Sequence, residues 1–353
     1  MSVLRTPLCD LLGIRHAILL AGMAGGPNTP ELVGEVSRAG GLGVLGLTGT
    51  TTAAAAEATR AAIERAGGAP VGANAQLAAR SPATGDRERI LAVLAPFRAE
   101  LGLPPDPAPP PPADAPLALL EASVAAGART ITTFEDPTPA IALAREAAIP
   151  LLAMVTTVAE ARRAVAAGAD AVIAQGSEAG GHRGVFAGGA TVASTPGAGT
   201  IALVPELIDA LGVPVIASGG IMDGRGIAAA LALGASGVSL GTRFLAALET
   251  GFPQGYRDAL ARCPADGTVV TDAVTGRPAR WIRNRLVDAL VDAGAGTLGW
   301  GDQIGLIADV RSAAARLERY DLLPMLAGQG SALIGAPMPA AQIVAQLVEQ
   351  TAA

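Results

Sequence analysis

Short apolar runs alternate along this chain with longer alanine-rich stretches. The runs cover residues 17–20, 43–47, 71–74, 130–133, 151–155, 171–175, 213–217 and 237–240. They lack the strict polar–apolar alternation of a half-solvated strand, so they predict strands of a parallel sheet buried on both faces. Between most of them lie segments that predict helices, at 30–39, 53–66, 117–126, 137–147, 158–167, 204–211 and 224–233. Several boundaries carry chemical signals. Asn28-Thr29-Pro30-Glu31 offers a cap, a first-turn proline and an early acid. Gly168, Gly212 and Gly234 stand where a helix end favours a left-handed residue. Residues 166–172 and 232–238 echo each other as helix end, glycine stop and next strand, which is repeated βα grammar. Eight strand–helix repeats favour a (β/α)8 TIM barrel over an open sheet.

The rhythm breaks in two places. Residues 80–116 form an insertion after the third strand, and the proline run within 103–112 predicts an extended surface segment rather than a helix. Beyond Arg243 the βα alternation stops, and helices are expected at 252–262, 280–292, 306–319 and 340–350. The chain thus divides into a barrel over 1–243, with its Pro-rich insertion near 80–116, and a smaller, mostly helical region over 244–353. That region is expected to close the barrel and contribute to the site.

Composition narrows the function. Half of the 353 residues are hydrophobic but only 3% are aromatic, so apolar volume comes from Ala, Val, Leu and Ile, and a pocket lined by aliphatic side chains is expected. A net charge of −6 without a basic, aromatic-interleaved cluster excludes a nucleic-acid footprint. Residues 185–205 and 331–348 are uncharged but rich in Gly, Thr, Ser, Pro or Gln, so neither reads as a membrane span. Residues 1–10 show no apolar signal region, and Cys9 and Cys263 are too few for a disulfide framework or a metal cluster. A cytoplasmic monomer or homodimer acting on a small molecule, without a metal, is the expectation.

Active sites of such barrels gather at the C-terminal strand ends, and phosphates favour the last two strand–helix loops. The sixth strand runs into Gln175-Gly176-Ser177-Glu178-Ala179-Gly180-Gly181-His182-Arg183-Gly184, a Gly-rich loop holding one of only two histidines. Histidine suits proton handling near neutral pH. Ser218-Gly219-Gly220 and Ser239-Leu240-Gly241-Thr242 follow the last two strands, where glycine lets backbone amides approach an anion. Met23 follows the first strand and Asn74 ends the third. The carboxamides of Asn74 and Gln175 can each donate and accept, as the edge of a flat heterocycle requires. A flat ring with a phosphate tail is the implied ligand, as in FMN. Glu178 reads as a hydrogen-bonder that orients the loop, Arg183 as a solvated surface arginine, and His16 as an ordinary exposed histidine.

Met23-Ala24-Gly25-Gly26-Pro27-Asn28-Thr29-Pro30-Glu31-Leu32, followed by residues 37–43, resembles the opening of the nitronate monooxygenase family, once called 2-nitropropane dioxygenases. Residues 168–184 resemble its central signature, 218–226 with 237–244 its phosphate site, and 275–280 with 328–330 later family segments. The resemblance implies noncovalent FMN. Met23, Asn74, Gln175, Gly180 and Gly181 would lie along the flavin, with Ser218, Gly219, Gly220, Ser239, Leu240, Gly241 and Thr242 at its phosphate end. Gln329 would approach from the C-terminal region, and His182 would be the catalytic residue. Many family members carry a glutamine at the first strand end, where this chain has Leu20-Ala21-Gly22-Met23, so no substrate contact is assigned there. The implied reaction oxidises an alkyl nitronate with O2 to a carbonyl compound and nitrite. His182 would hold the nitro group as an imidazolium or take the α-proton of a neutral nitroalkane. Two alternatives are a flavin-dependent enoyl-thioester (enoyl-acyl-carrier-protein) reductase using NAD(P)H, which shares the Glu178–His182 run, and a flavin-binding partner module without turnover.

Overall fold

The structure, a computed structural model, describes residues 4–77, 83–108, 113–186 and 197–353. Eight parallel strands form its centre: β1 (Ile18–Leu20), β2 (Gly43–Gly46), β3 (Val71–Ala75), β4 (Thr130–Thr133), β5 (Leu151–Val155), β6 (Ala171–Gln175), β8 (Val215–Ser218) and β9 (Gly237–Leu240). A two-residue strand, β7 (Gly181–His182), lies between β6 and β8 in the chain and belongs elsewhere. The parallel order β1-β9-β8-β6-β5-β4-β3-β2 closes through a parallel bridge between Leu19 and Leu42, which completes the TIM barrel.

Side chains alternate between the two faces of each strand. Leu152 and Met154 of β5, Ile173 of β6 and Ile216 of β8 belong to the barrel-interior cluster, whereas Leu151, Ala153, Val172 and Ala217 join the layer beneath the helices. Both faces are apolar, which is why the strands show no polar alternation. The same parity puts Asn74, Gln175, Ser218 and Ser239 on the inner face at the C-terminal end. Leu240 instead packs outward among the helices, so only its backbone can serve a ligand.

A short helix, α1 (Pro7–Leu12), plugs the other end with Leu8, Cys9 and Leu12. The outer ring holds α2 (Pro30–Arg38), α3 (Thr52–Ala66), α5 (Pro116–Ala125), α6 (Thr138–Glu146), α7 (Val158–Ala167), α8 (Thr200–Ala210) and α9 (Gly224–Ala232). Thr29 Oγ1 caps α2 by accepting from Leu32 N at 3.1 Å. Helix α8 begins four residues earlier than expected and takes Pro205 into its body. Gly168 ends α7 at φ 115° as expected, but Gly212 is not left-handed, because α8 ends at Leu211 in extended backbone (φ −129°, ψ 150°).

The insertion contains α4 (Arg87–Glu100), which the sequence reading did not anticipate; Pro96 lies within it. Part of the proline run is docked rather than loose. The buried guanidinium of Arg98 pairs with Asp309 through two 2.8 Å bonds and donates to Pro104 O and Asp106 O. Residues 109–112 of that run lie outside the described residues.

The C-terminal region holds α10 (Gln254–Arg262), α11 (Arg285–Ala293), α12 (Asp302–Arg316) and α13 (Ala340–Ala352). The helix expected over 280–292 is corrected at its start, because residues up to Ile282 form a strand. That strand, β11 (Ala279–Ile282), pairs antiparallel with β10 (Thr268–Thr271) on one side and with β7 on the other. This three-stranded sheet sets Ala279 opposite His182 and so carries the C-terminal region onto the loop after β6. Among the described residues no helix is long and apolar enough to cross a membrane.

Candidate active site

The loop after β6 is held from every side. Gln175 projects from the inner face, donates through Nε2 to His182 O at 2.8 Å and accepts at Oε1 from Gly184 N at 2.9 Å. Its carboxamide therefore closes the loop on itself and fixes the backbone of His182. Glu178 accepts from Thr200 N at 3.0 and 2.9 Å and from Thr200 Oγ1 at 3.0 Å, tying the loop to the start of α8. Arg280 donates twice to Ser177 O, and Arg183 donates to Gly176 O at 3.1 Å. Arg183 is 8% exposed, which corrects its reading as a solvated arginine. His16 is likewise not exposed: it is half-buried, and its Nδ1 is sealed from solvent.

Several residues expected at one site do converge. Thr200 Oγ1 reaches Gly219 O at 3.0 Å, Gln329 N donates to Glu178 O at 2.9 Å, and Gly328 N donates to Thr242 Oγ1 at 3.0 Å. Gly219 and Gly220 adopt φ 115° and 72°, conformations open to glycine and strained for other residues. A Cβ on Gly219 would stand 2.9 Å from Ala179 N, and one on Gly180 only 2.4 Å from Gly328 N. The turns after β6, β8 and β9 and the 328–330 segment thus share one end of the barrel. Met23 lies there too, its Sδ 3.4 Å from where a Cβ on Gly241 would stand. Asn74 Nδ2 donates to Thr132 O at 3.1 Å and Thr132 Oγ1 at 2.8 Å, so β4 occupies its donor side.

His182 stands between both tryptophans of the chain. Its ring meets Trp300 edge-on at 5.0 Å and Trp281 at 6.0 Å. The expectation of an aliphatic lining fails here, because an average composition carries no information on where its few aromatic rings sit. Nε2 of His182 lies 2.8 Å from Thr275 Oγ1. Burial, aided by the charge of Arg311, lowers the imidazole pKa from 6.5 to about 4. The ring is therefore neutral at pH 7, and keeping it protonated there would cost about 4 kcal/mol. An imidazolium would need a bound anion beside it to offset this burial; without one, the ring is neutral, able to accept a proton or donate one N–H.

A second polar cluster was not foreseen. The buried carboxylate of Glu135, just past β4, pairs with Arg277 and accepts from Gln76 Nε2 at 3.2 Å. The Arg277 guanidinium lies 5.5 Å from the Trp300 ring centroid, and burial lowers its pKa to about 10. The missed hairpin had a sequence trace: Thr268-Val269-Val270-Thr271 and Ala279-Arg280-Trp281-Ile282 are β-rich runs separated by a turn segment with Gly276 and Pro278.

The family model for nitronate monooxygenase matches residues 5–350. The chain belongs to the nitronate monooxygenase family. A probable nitronate monooxygenase of Staphylococcus aureus (strain MSSA476) is 35% identical over 97% of this chain and 96% of its own length. Among solved structures, nitroalkane oxidase from Streptomyces ansochromogenes shares 32% identity at a TM-score of 0.85, covering 98% of this chain and 97% of its own. FabK from Thermotoga maritima shares 29% identity at a TM-score of 0.76, covering 98% and 96%. Membership makes the chain a flavin-dependent oxidoreductase.

Proposed function

We propose that the protein oxidises alkyl nitronates with O2, using FMN, to a carbonyl compound and nitrite. One observation carries the reading most directly: His182, packed against Trp281 and Trp300 and bonded at Nε2 to Thr275, stands at the barrel end that also gathers Gly180, Gly219, Gly220 and Thr242. The residues present fit the phosphate end of a flavin, since Gly219 and Gly220 hold left-handed backbone, φ 115° and 72°, where the turns after β6, β8 and β9 meet. The turns bearing Ser218–Gly220 and Ser239–Thr242 would hold its phosphate, while Met23, Asn74, Gln175, Gly180, Gly181 and Gln329 would flank the ring. Bound there, the cofactor supplies an electron acceptor for the carbanionic substrate and a partner for O2.

The chain's own residues do the rest. A nitronate arrives already ionised, so His182 has only to bind and orient it; for a neutral nitroalkane, the same ring accepts the α-proton. The two tryptophans pack edge-on against the ring and hold its plane, and the Gln175 carboxamide keeps the His182 backbone in register. Likeness to FabK supports a second reading, enoyl-thioester reduction with NAD(P)H, although both its identity and its TM-score fall below those of the nitroalkane oxidase.

The deciding experiment mixes flavin-loaded protein anaerobically with propyl-2-nitronate and, separately, with NADH, following flavin absorbance. Bleaching by nitronate, with nitrite formed once air is admitted, supports oxidation. Rapid bleaching by NADH with no response to nitronate transfers the assignment to the reductase.

A further inference from the structure

The Thr275 hydroxyl carries one proton and stands between two partners. Its oxygen lies 2.8 Å from His182 Nε2, and the structure gives its proton a carbonyl acceptor, Arg277 O at 3.4 Å. With the proton turned to Arg277, the oxygen can only accept from the ring, which places the imidazole proton on Nε2. We propose that Thr275 is a positioning residue that fixes His182 as the Nε2–H tautomer and thereby makes Nδ1 the ring atom that accepts the substrate's proton. Nδ1 makes no hydrogen bond among the described residues, which leaves it the ring nitrogen available to a ligand. In the opposite tautomer Nδ1 would be a donor, and the ring could accept nothing from the cavity.

Thr275 is built into place rather than resting there. Its loop is pinned to the barrel by the Glu135–Arg277 ion pair and, just past β7, by Arg183 N donating to Pro278 O at 2.8 Å. At Gly276 the backbone takes φ 81°, and a Cβ would stand 2.2 Å from the carbonyl carbon of Gly299. Only glycine lets the loop close against the residue preceding Trp300, so the hydroxyl and the tryptophan edge reach the imidazole together.

The chemical consequence rests on the proposed function, because it assumes that the substrate sits on the Nδ1 side; the tautomer itself does not. The test uses flavin-loaded protein labelled with 15N-histidine. The chain has two histidines, and His16→Gln assigns the pair. The expected wild-type spectrum shows His182 neutral at pH 7 with its proton on Nε2. Thr275→Val keeps the side-chain shape and removes the acceptor. It should turn the ring toward the Nδ1–H form; with about 90 to 99% of it so turned, kcat/KM for neutral nitroethane falls roughly 10- to 100-fold. For preformed nitronate the loss should stay within about threefold, and Thr275→Ser should restore both the tautomer and the rate. A wild-type proton on Nδ1, or a tautomer unchanged in Thr275→Val, overturns the inference. If His182 carries Nε2–H but neither nitroethane nor nitronate is turned over, the proposed function fails while the positioning role stands.

Discussion

Neutrality of His182 has a cost that can be measured as acid sensitivity. In the unfolded chain its imidazole takes a proton near pH 6.5; in the fold, burial holds it unprotonated down to about pH 4. Between those values the unfolded state binds more protons than the native state, so stability falls as the pH drops through this window. Full passage corresponds to about 3.4 kcal/mol, and the interval from pH 7 to pH 5 to about 1.8 kcal/mol. His182→Gln keeps a polar side chain of similar bulk and removes the titration. Urea unfolding of wild type and variant at pH 7 and pH 5 should show the variant losing about 1.8 kcal/mol less on acidification. Equal losses in the two proteins would refute the argument. So would an imidazole titrating near 6.5, because burial would then not be lowering its pKa.

Two further substitutions test the frame around that ring. Gly219→Val places a branched residue at φ 115° with its Cβ 2.9 Å from Ala179 N, so purified protein should carry far less flavin than wild type, measured as flavin-to-protein absorbance ratio; full occupancy would move the phosphate end elsewhere. Glu135→Gln removes the carboxylate paired with buried Arg277, which should cost about 3 kcal/mol in unfolding free energy and lower turnover of nitroalkanes more than of nitronates; an unaltered midpoint and rate would show that the pair anchors nothing.

The barrel was legible because its evidence is local. Thr130–Thr133, Leu151–Val155, Ala171–Gln175 and Gly237–Leu240 appear with the same bounds in sequence and structure, since each buried parallel strand is a short apolar run between helices. The turns with Gly180, Gly219, Gly220 and Thr242 were also readable and do meet at one end of the barrel. Helix α4 was hidden because a proline run nearby drew attention to what cannot be helical, whereas its own cap, Asp86 accepting from Glu88 N and Arg89 N, is ordinary. Arg183 looked solvated because a lone arginine in a glycine loop has no sequence mark of burial. Its guanidinium is held by the carbonyl of Gly176, a contact that only the folded loop creates.

The chemistry of His182 was the part least readable from the loop that contains it. β7 is two residues long and acquires meaning only when Ala279 and Arg280, nearly a hundred positions later, pair with it. That pairing delivers Trp281 and Thr275, and the glycine closure at Gly276 adds Trp300. A histidine in an open Gly-rich loop would titrate near its ordinary value and could serve either as a cation or as a base. Packed against two indoles and bonded at Nε2 to Thr275, this ring has its pKa lowered to about 4 by burial, and one of its nitrogens is engaged by the protein. The barrel thus positions the residue, while the C-terminal hairpin supplies the neighbours that shift its pKa and bond its Nε2. Substitutions in that hairpin should therefore change the pH dependence of turnover before they change the fold.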